Sequence, residues 1–178
     1  MASEIPAHEI VVTRSPEERQ QCYDVRINVF HHEQHFPLET EIDESVPAPP
    51  FLPPDHNVPF LNRHEDTATH FLLRLVPSLT PVGTIRLHQV KSPSGDYYKL
   101  TRLAILKEYR KYRFGRELVE SLHEWVKAHA LETNPVTIVC HSQLPVQGFY
   151  AKLGYLPEGE QFDEEGDPHQ KMVLRLPL

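Results

Sequence analysis

The segment Arg110-Lys111-Tyr112-Arg113-Phe114-Gly115-Arg116 constrains the fold more than any other stretch of this chain. It follows the apolar run Leu103-Ala104-Ile105-Leu106. It opens a helix whose apolar residues Leu118, Val119, Leu122, Trp125 and Val126 recur at helical spacing. Strand, basic turn and helix N-terminus in that order make an anion site. The first N–H groups of a helix have no intrahelical acceptor, and the helix dipole is positive at that end. Four basic side chains crowd the same point, and Gly115 lets the backbone come close to a ligand. These residues point to a phosphorylated cofactor.

The remaining pattern is that of one domain spanning 1–178, long enough to bury a substantial core. Ile10-Val11-Val12 reads as a first strand. Ser15-Pro16-Glu17-Glu18 reads as a capped helix start, with Cys22, Val25 and Val29 giving that helix an apolar side to about Phe30. Val46 to Pro59 holds six prolines, which excludes regular helix or central strand. Thr69–Val76 and Pro81–Leu87 read as a hairpin and Tyr97–Leu106 as the next strand. A helix over Arg113–Ala130 follows, then a buried parallel strand at Val136–Cys140 and a short helix near Leu144–Leu153 ended by Gly154. Tyr155-Leu156 and Lys171–Leu176 close the sheet.

Composition excludes several classes. The net charge of −7 argues against broad nucleic-acid binding. No apolar run approaches the ~20 residues that span a bilayer. The first residues lack the basic and apolar regions of a secretory signal. Cys22 and Cys140 are the only cysteines, which fits a reducing compartment; the expectation is a cytoplasmic protein with possible nuclear access. The absence of GxxxxGK[ST] makes a P-loop enzyme a poor reading. Charge is uneven along the chain. Ile27 to Asn62 has no Lys or Arg but includes Glu33, Glu41 and Asp43, whereas Lys99 to Arg116 has seven basic residues and one acid. One end of the fold looks built for an anion, another for a cation.

With this order of elements, two blocks resemble the GNAT superfamily of acyl-CoA-dependent N-acyltransferases. The family's Gln/Arg-x-x-Gly-x-Gly/Ala turn stands here as Arg110 to Gly115, with Arg113 in place of the middle glycine. Its FYxxxGF/Y segment stands as Phe149-Tyr150-Ala151-Lys152-Leu153-Gly154-Tyr155. Val25 to Gln34 and Glu164 to His169 look like the smaller ElaA-like subgroup. The resemblance implies an α/β (α+β) fold with a mixed sheet of six to seven strands and about four helices. It implies acetyl-CoA as cosubstrate, held by Leu103, Ala104 and Ile105 on the fourth strand, by Arg110, Lys111, Tyr112, Arg113, Phe114, Gly115 and Arg116, and by Phe149 and Lys152. A backbone N–H near Leu103 to Ile105 would polarise the thioester carbonyl. Tyr150 matches the tyrosine that protonates the departing thiolate.

The base is left to the residues themselves. The fourth strand lacks the glutamate that many family members carry. His141 stands at the end of Val136–Cys140, where histidine chemistry suits proton removal near neutral pH. Glu33 is the second candidate. Glu33, Glu41 and Asp43 are expected to draw in a cationic amine. His31-His32-Glu33-Gln34-His35 is not HExxH, and no metal is expected. The expected activity is acetyl transfer to an amine in a ternary complex, a small amine, amino sugar or amino acid being favoured, by a monomer or homodimer. The rivals are a weakly active acyl-CoA sensor and a protein lysine or N-terminal acetyltransferase.

Overall fold

The computed structural model describes residues 4–38, 41, 67–130 and 135–178. The strands are β1 (His8–Val12), β2 (Thr69–Leu75), β3 (Pro81–Val90), β4 (Tyr97–Ile105), β5 (Val136–Gln143), β6 (Leu156–Pro157), β7 (Phe162–Glu164) and β8 (Asp167–Leu176). They form one sheet in the order β1-β2-β3-β4-β5-β8-β6, with β7 paired to β8. Every pairing is antiparallel except β4 with β5. The expected mixed sheet is present. It has eight strands rather than six or seven, because the three-residue β7, turned by Glu165 and Gly166 at positive φ, is too short to show as a period-2 pattern.

Ser15 starts the first helix as its sequence demands. Its hydroxyl accepts from the Glu18 N–H at 3.2 Å, and Pro16 takes the first helical position. The Glu18 carboxylate accepts from the Arg14 N–H rather than closing a box on Ser15. The helix α1 (Pro16–Arg26) then widens into a π-helical stretch over Ile27–Glu33, past the expected end near Phe30. It stops where His35 turns to φ 65, so His31 and His35 do not share a helix face. The Arg113–Ala130 expectation is met by α2 (Phe114–His129), preceded by a 3₁₀ turn at Lys107–Tyr112. A second 3₁₀ turn at Leu144–Val146 leads into α3 (Gln147–Ala151). Gly154 at φ 89 ends that segment.

The two faces of the sheet are covered differently. Phe114, Leu118, Leu122 and Val126 of α2 pack on Ile85, Leu87, Leu100, Ile138 and Met172, all nearly or wholly inaccessible. Each such side chain contributes about 1.5–3 kcal/mol of burial. On the other face Val25 and Val29 pack on Ala104. Beyond them that face turns polar: the ladder pairs Arg86 with Thr101, His88 with Lys99, and His141 with Lys171. The Pro-rich segment, Asp43, His56 and His64 lie outside the described residues.

One buried histidine makes stability depend on pH. His123 of α2 has its Nε2 hydrogen-bonded to the Tyr155 hydroxyl at 2.9 Å. Burial, helped by Lys127, pushes its pKa down to about 4. The unfolded chain binds the proton near ~6.5, so it carries more protons than the native state between those values. Stability should therefore be full above about pH 6.5, fall as pH drops through that window, and be up to about 3 kcal/mol lower below pH ~4. Urea unfolding from pH 7.5 to 4 should show this slope in the native protein and a reduced one in His123→Phe.

Candidate active site

β4 and β5 pair over Tyr98–Leu100 and Ile138–Cys140 only. Past that point β4 runs to Ile105 and β5 to Gln143 without pairing to each other. The cause lies in β4. Between Thr84 and Arg86 the β3–β4 register slips, and Arg102 adopts φ 55 opposite the slip. A bulge of this kind bends its strand. It leaves backbone groups of Leu103, Ala104 and Ile105 facing a gap. That gap is the centre of a cleft of about 1020 Å³, walled by the π-helical stretch, β4, the start of α2, the end of β5 and α3.

At one end stands the N-terminus of α2. Arg113, its N-cap, has φ 64. This explains how arginine replaces the glycine of the motif: the backbone keeps a left-handed shape that glycine adopts freely. Gly115 follows. A Cβ built on it would meet Ile105 and Phe149 at 3.7 Å, ordinary contact without a clash. The basic side chains divide by role. Arg113 lines the cleft and has no ion pair among the described residues. Arg116 also lines it, paired to Glu120 at 2.7 Å on the exposed surface. Lys111 lies over the Tyr112 ring. Phe114 is wholly buried and Tyr112 packs against the core, so Phe114 can offer a ligand its N–H but not its ring. Arg113→Gly should leave stability within about 1 kcal/mol, since relief of a left-handed arginine offsets the ~0.5–1 kcal/mol of glycine entropy. Urea denaturation checks this; a larger loss would mean the arginine side chain holds the turn.

Arg110 is committed to structure. It grips Glu33 with two nitrogens at 2.6 and 2.7 Å and donates to the Ile105 carbonyl at 3.0 Å. It therefore ties the end of the π-helical stretch to the end of β4. The same grip corrects the expectation for Glu33. The hydrogen bond from Arg110 holds the Glu33 carboxyl below the usual carboxylate range, which makes it a poor base. Glu41 is buried between Arg26 at 2.9 Å and Arg102 at 3.2 Å. Neither glutamate is left to attract a cationic amine, and Asp43 lies outside the described residues. Among the described acids of this stretch, Glu33 sits in an exposed ion pair and Glu41 is a buried counter-charge.

Tyr150 lies midway along the cleft. Its ring is held edge-on by Phe149 and Tyr155, at centroid distances of 5.1 and 5.6 Å. Its hydroxyl makes no hydrogen bond with any described residue, although the residue lines the cleft. Burial pushes its pKa up, so it remains a proton donor. Lys152 and Phe149 line the same wall.

His141 lies across the gap on β5. Its Nδ1 is 3.0 and 3.2 Å from the two Glu164 oxygens, and its ring stands edge-on to Phe162. The bond from His141 holds the Glu164 carboxyl low against its burial. A carboxylate on Nδ1 fixes the tautomer and turns Nε2 outward. Of the side chains lining the cleft, the sequence reading named His141 but not Glu164, Arg86, His88, Lys99 or Arg102. The available signal was alternation: Arg86 and His88, then Lys99 and Thr101, put polar residues on one face of strands whose other face is apolar. Among the described residues no group of three or more His, Cys, Asp or Glu is arranged to hold a metal. No described helix is long and apolar enough to cross a membrane.

A cleft opened by splayed parallel strands beside a glycine-containing helix N-terminus defines a class of acyl-transfer domain. Residues 58–176 match the profile of the acetyltransferase (GNAT) domain, and the chain belongs to that family. It is 32% identical over 159 residues to a candidate acetyltransferase of Bacillus subtilis, covering 89% of this chain and 90% of that one. The crystal structure of a candidate N-acetyltransferase from Lactobacillus plantarum superposes with a TM-score of 0.73 at 26% identity, covering 96% of this chain and 99% of that one. Escherichia coli ElaA shares the fold, with a TM-score of 0.63 at 19% identity over 94% of this chain and 98% of ElaA.

Proposed function

We propose that the protein is an acetyl-CoA-dependent N-acetyltransferase that moves an acetyl group directly to an amine in a ternary complex. The observation that carries this reading is the continuity of the cleft. It runs from the N-terminus of α2, past free backbone on β4, to the unbonded hydroxyl of Tyr150 and the His141–Glu164 pair. Acetyl-CoA supplies an activated thioester. The residues then divide the work. N–H groups at the start of α2, with Arg113 and Arg116, hold phosphates. A β4 N–H in the Leu103–Ile105 stretch donates to the thioester carbonyl as it gains negative charge. His141 Nε2 takes the proton from the attacking amine, directly or through water, while Glu164 orients the ring. Tyr150 gives its proton to the sulfur as the C–S bond breaks. Holding both reactants in one cleft supplies much of the rate gain.

A binding or sensing domain would need the phosphate end alone. The part-buried, hydrogen-bonded His141–Glu164 pair supports turnover instead. The test is thiol release from acetyl-CoA with a broad amine panel, run beside calorimetry of CoA binding. Binding with amine-dependent thiol release supports the transferase. Binding without release from any amine returns the protein to the sensing alternative.

A further inference from the structure

We propose that the acceptor is an amine that also carries a carboxylate, as an amino acid does, and that Lys99 is the residue that receives this carboxylate. The proposal rests on the transferase reading above and adds the class of acceptor.

The argument starts from the sheet register. His88 pairs with Lys99 on β3–β4, and Lys99 aligns with Val139 on the parallel β5. Aligned partners point to the same face, and so do residues two apart along a strand. Lys99 and His141 therefore stand on one face, at the end of the cleft away from α2. Two residues along and one strand across separate their Cα atoms by roughly 8 Å. The lysine stem and the imidazole can span that gap from both sides, which leaves room between them for one small molecule.

Charge then selects the molecule. Arg86, Lys99 and Arg102 all line this end of the cleft, with Glu41, Glu164 and Glu165 as the acids. Two of these acids are already held by partners. Glu41 is held by Arg26 and Arg102, and Glu164 accepts from His141. Burial raises the proton affinity of Glu165, opposed by Arg102. Lys99 is half-buried and forms no hydrogen bond or ion pair with any described residue. Burial lowers its pKa, Glu164 opposes this, and Arg86 and Arg102 add to it. A half-buried ammonium lacking a hydrogen-bonded carboxylate is costly, and an incoming carboxylate supplies one. Lys99 and the neighbouring Arg86 disfavour a polycation at this point and favour the neutral form of the acceptor's amine, which is the form that attacks. This reverses the cationic acceptor suggested by the acidic run in the sequence.

The experiment compares kcat/KM for a set of L-amino acids with their α-carboxamides and with linear diamines, by thiol release from acetyl-CoA. The acids should exceed their amides by about tenfold or more, the size of one charge-assisted hydrogen bond. Lys99→Met should collapse the ratio to within about threefold while CoA affinity, read by calorimetry, stays unchanged as a check of folding. Lys99→Arg should keep the preference. Amides or diamines used as well as acids would overturn the proposal even if the Lys99→Met variant fails to fold. So would a preference that survives in Lys99→Met, or turnover confined to amines without a carboxylate. In each of these cases amine-dependent thiol release leaves the transferase reading standing. Absence of release from any amine would remove both.

Discussion

Tyr150→Phe should lower kcat by about 100-fold while leaving acetyl-CoA affinity nearly unchanged, because general acids contribute on the order of 10²–10⁴ in rate. The ring of Tyr150 packs between Phe149 and Tyr155, and phenylalanine preserves that packing. Only the hydroxyl is removed, and it has no hydrogen-bond partner among the described residues, so nothing in the fold is left unsatisfied. The loss must then appear in the step where sulfur needs a proton. Burial keeps the phenol protonated across the working range, so the effect should not depend on pH below about 9. Single-turnover rates of thiol release, measured where chemistry limits the reaction, give the comparison. Equal rates for the two proteins would remove Tyr150 as the acid.

Gly115→Val should weaken CoA binding by at least about tenfold, the equivalent of one lost charge-assisted hydrogen bond of ~1.5–3 kcal/mol. The substitution separates ligand from fold. The added Cβ would meet Ile105 and Phe149 at 3.7 Å, ordinary contact, so that atom does not itself clash with the protein. Valine is also a better helix residue than glycine. On the proposed placement of the pyrophosphate, the added side chain stands where a phosphate approaches the first N–H groups of α2. Calorimetry of the folded variant decides: unchanged affinity would place the pyrophosphate elsewhere.

Tyr150 and Gly115 both stand in blocks that were legible in the sequence for local reasons. A basic, glycine-containing turn between an apolar strand and an amphipathic helix suits an anion and little else, and Phe149 to Tyr155 fixes a short helix closed by Gly154. Helix ends, strand alternation and turn residues are encoded within a few positions of one another, so β2, β3, β5 and α2 could be read directly. What could not be read was partnership. Arg110 looks like a phosphate ligand because it sits in the motif, but its guanidinium turns back to Glu33, 77 positions earlier. Glu41 looks like a lure for cations because no basic residue is near it in sequence, yet Arg26 and Arg102 enclose it.

The family, the proposed phosphate-binding end and Tyr150 all rest on residues contiguous in the chain, and so were legible in the sequence. The acceptor end was not. Arg86, Lys99, His141 and Glu164 come from four strands, and no local pattern specifies which charges will meet. The bulge at Arg102 parts β4 from β5 and makes the gap. The β7–β8 hairpin brings Glu164 to His141 across 23 positions. Coulombic pairing depends on distance in space rather than along the chain. Folding therefore made Glu41 a buried counter-charge and left a lysine to line the cleft.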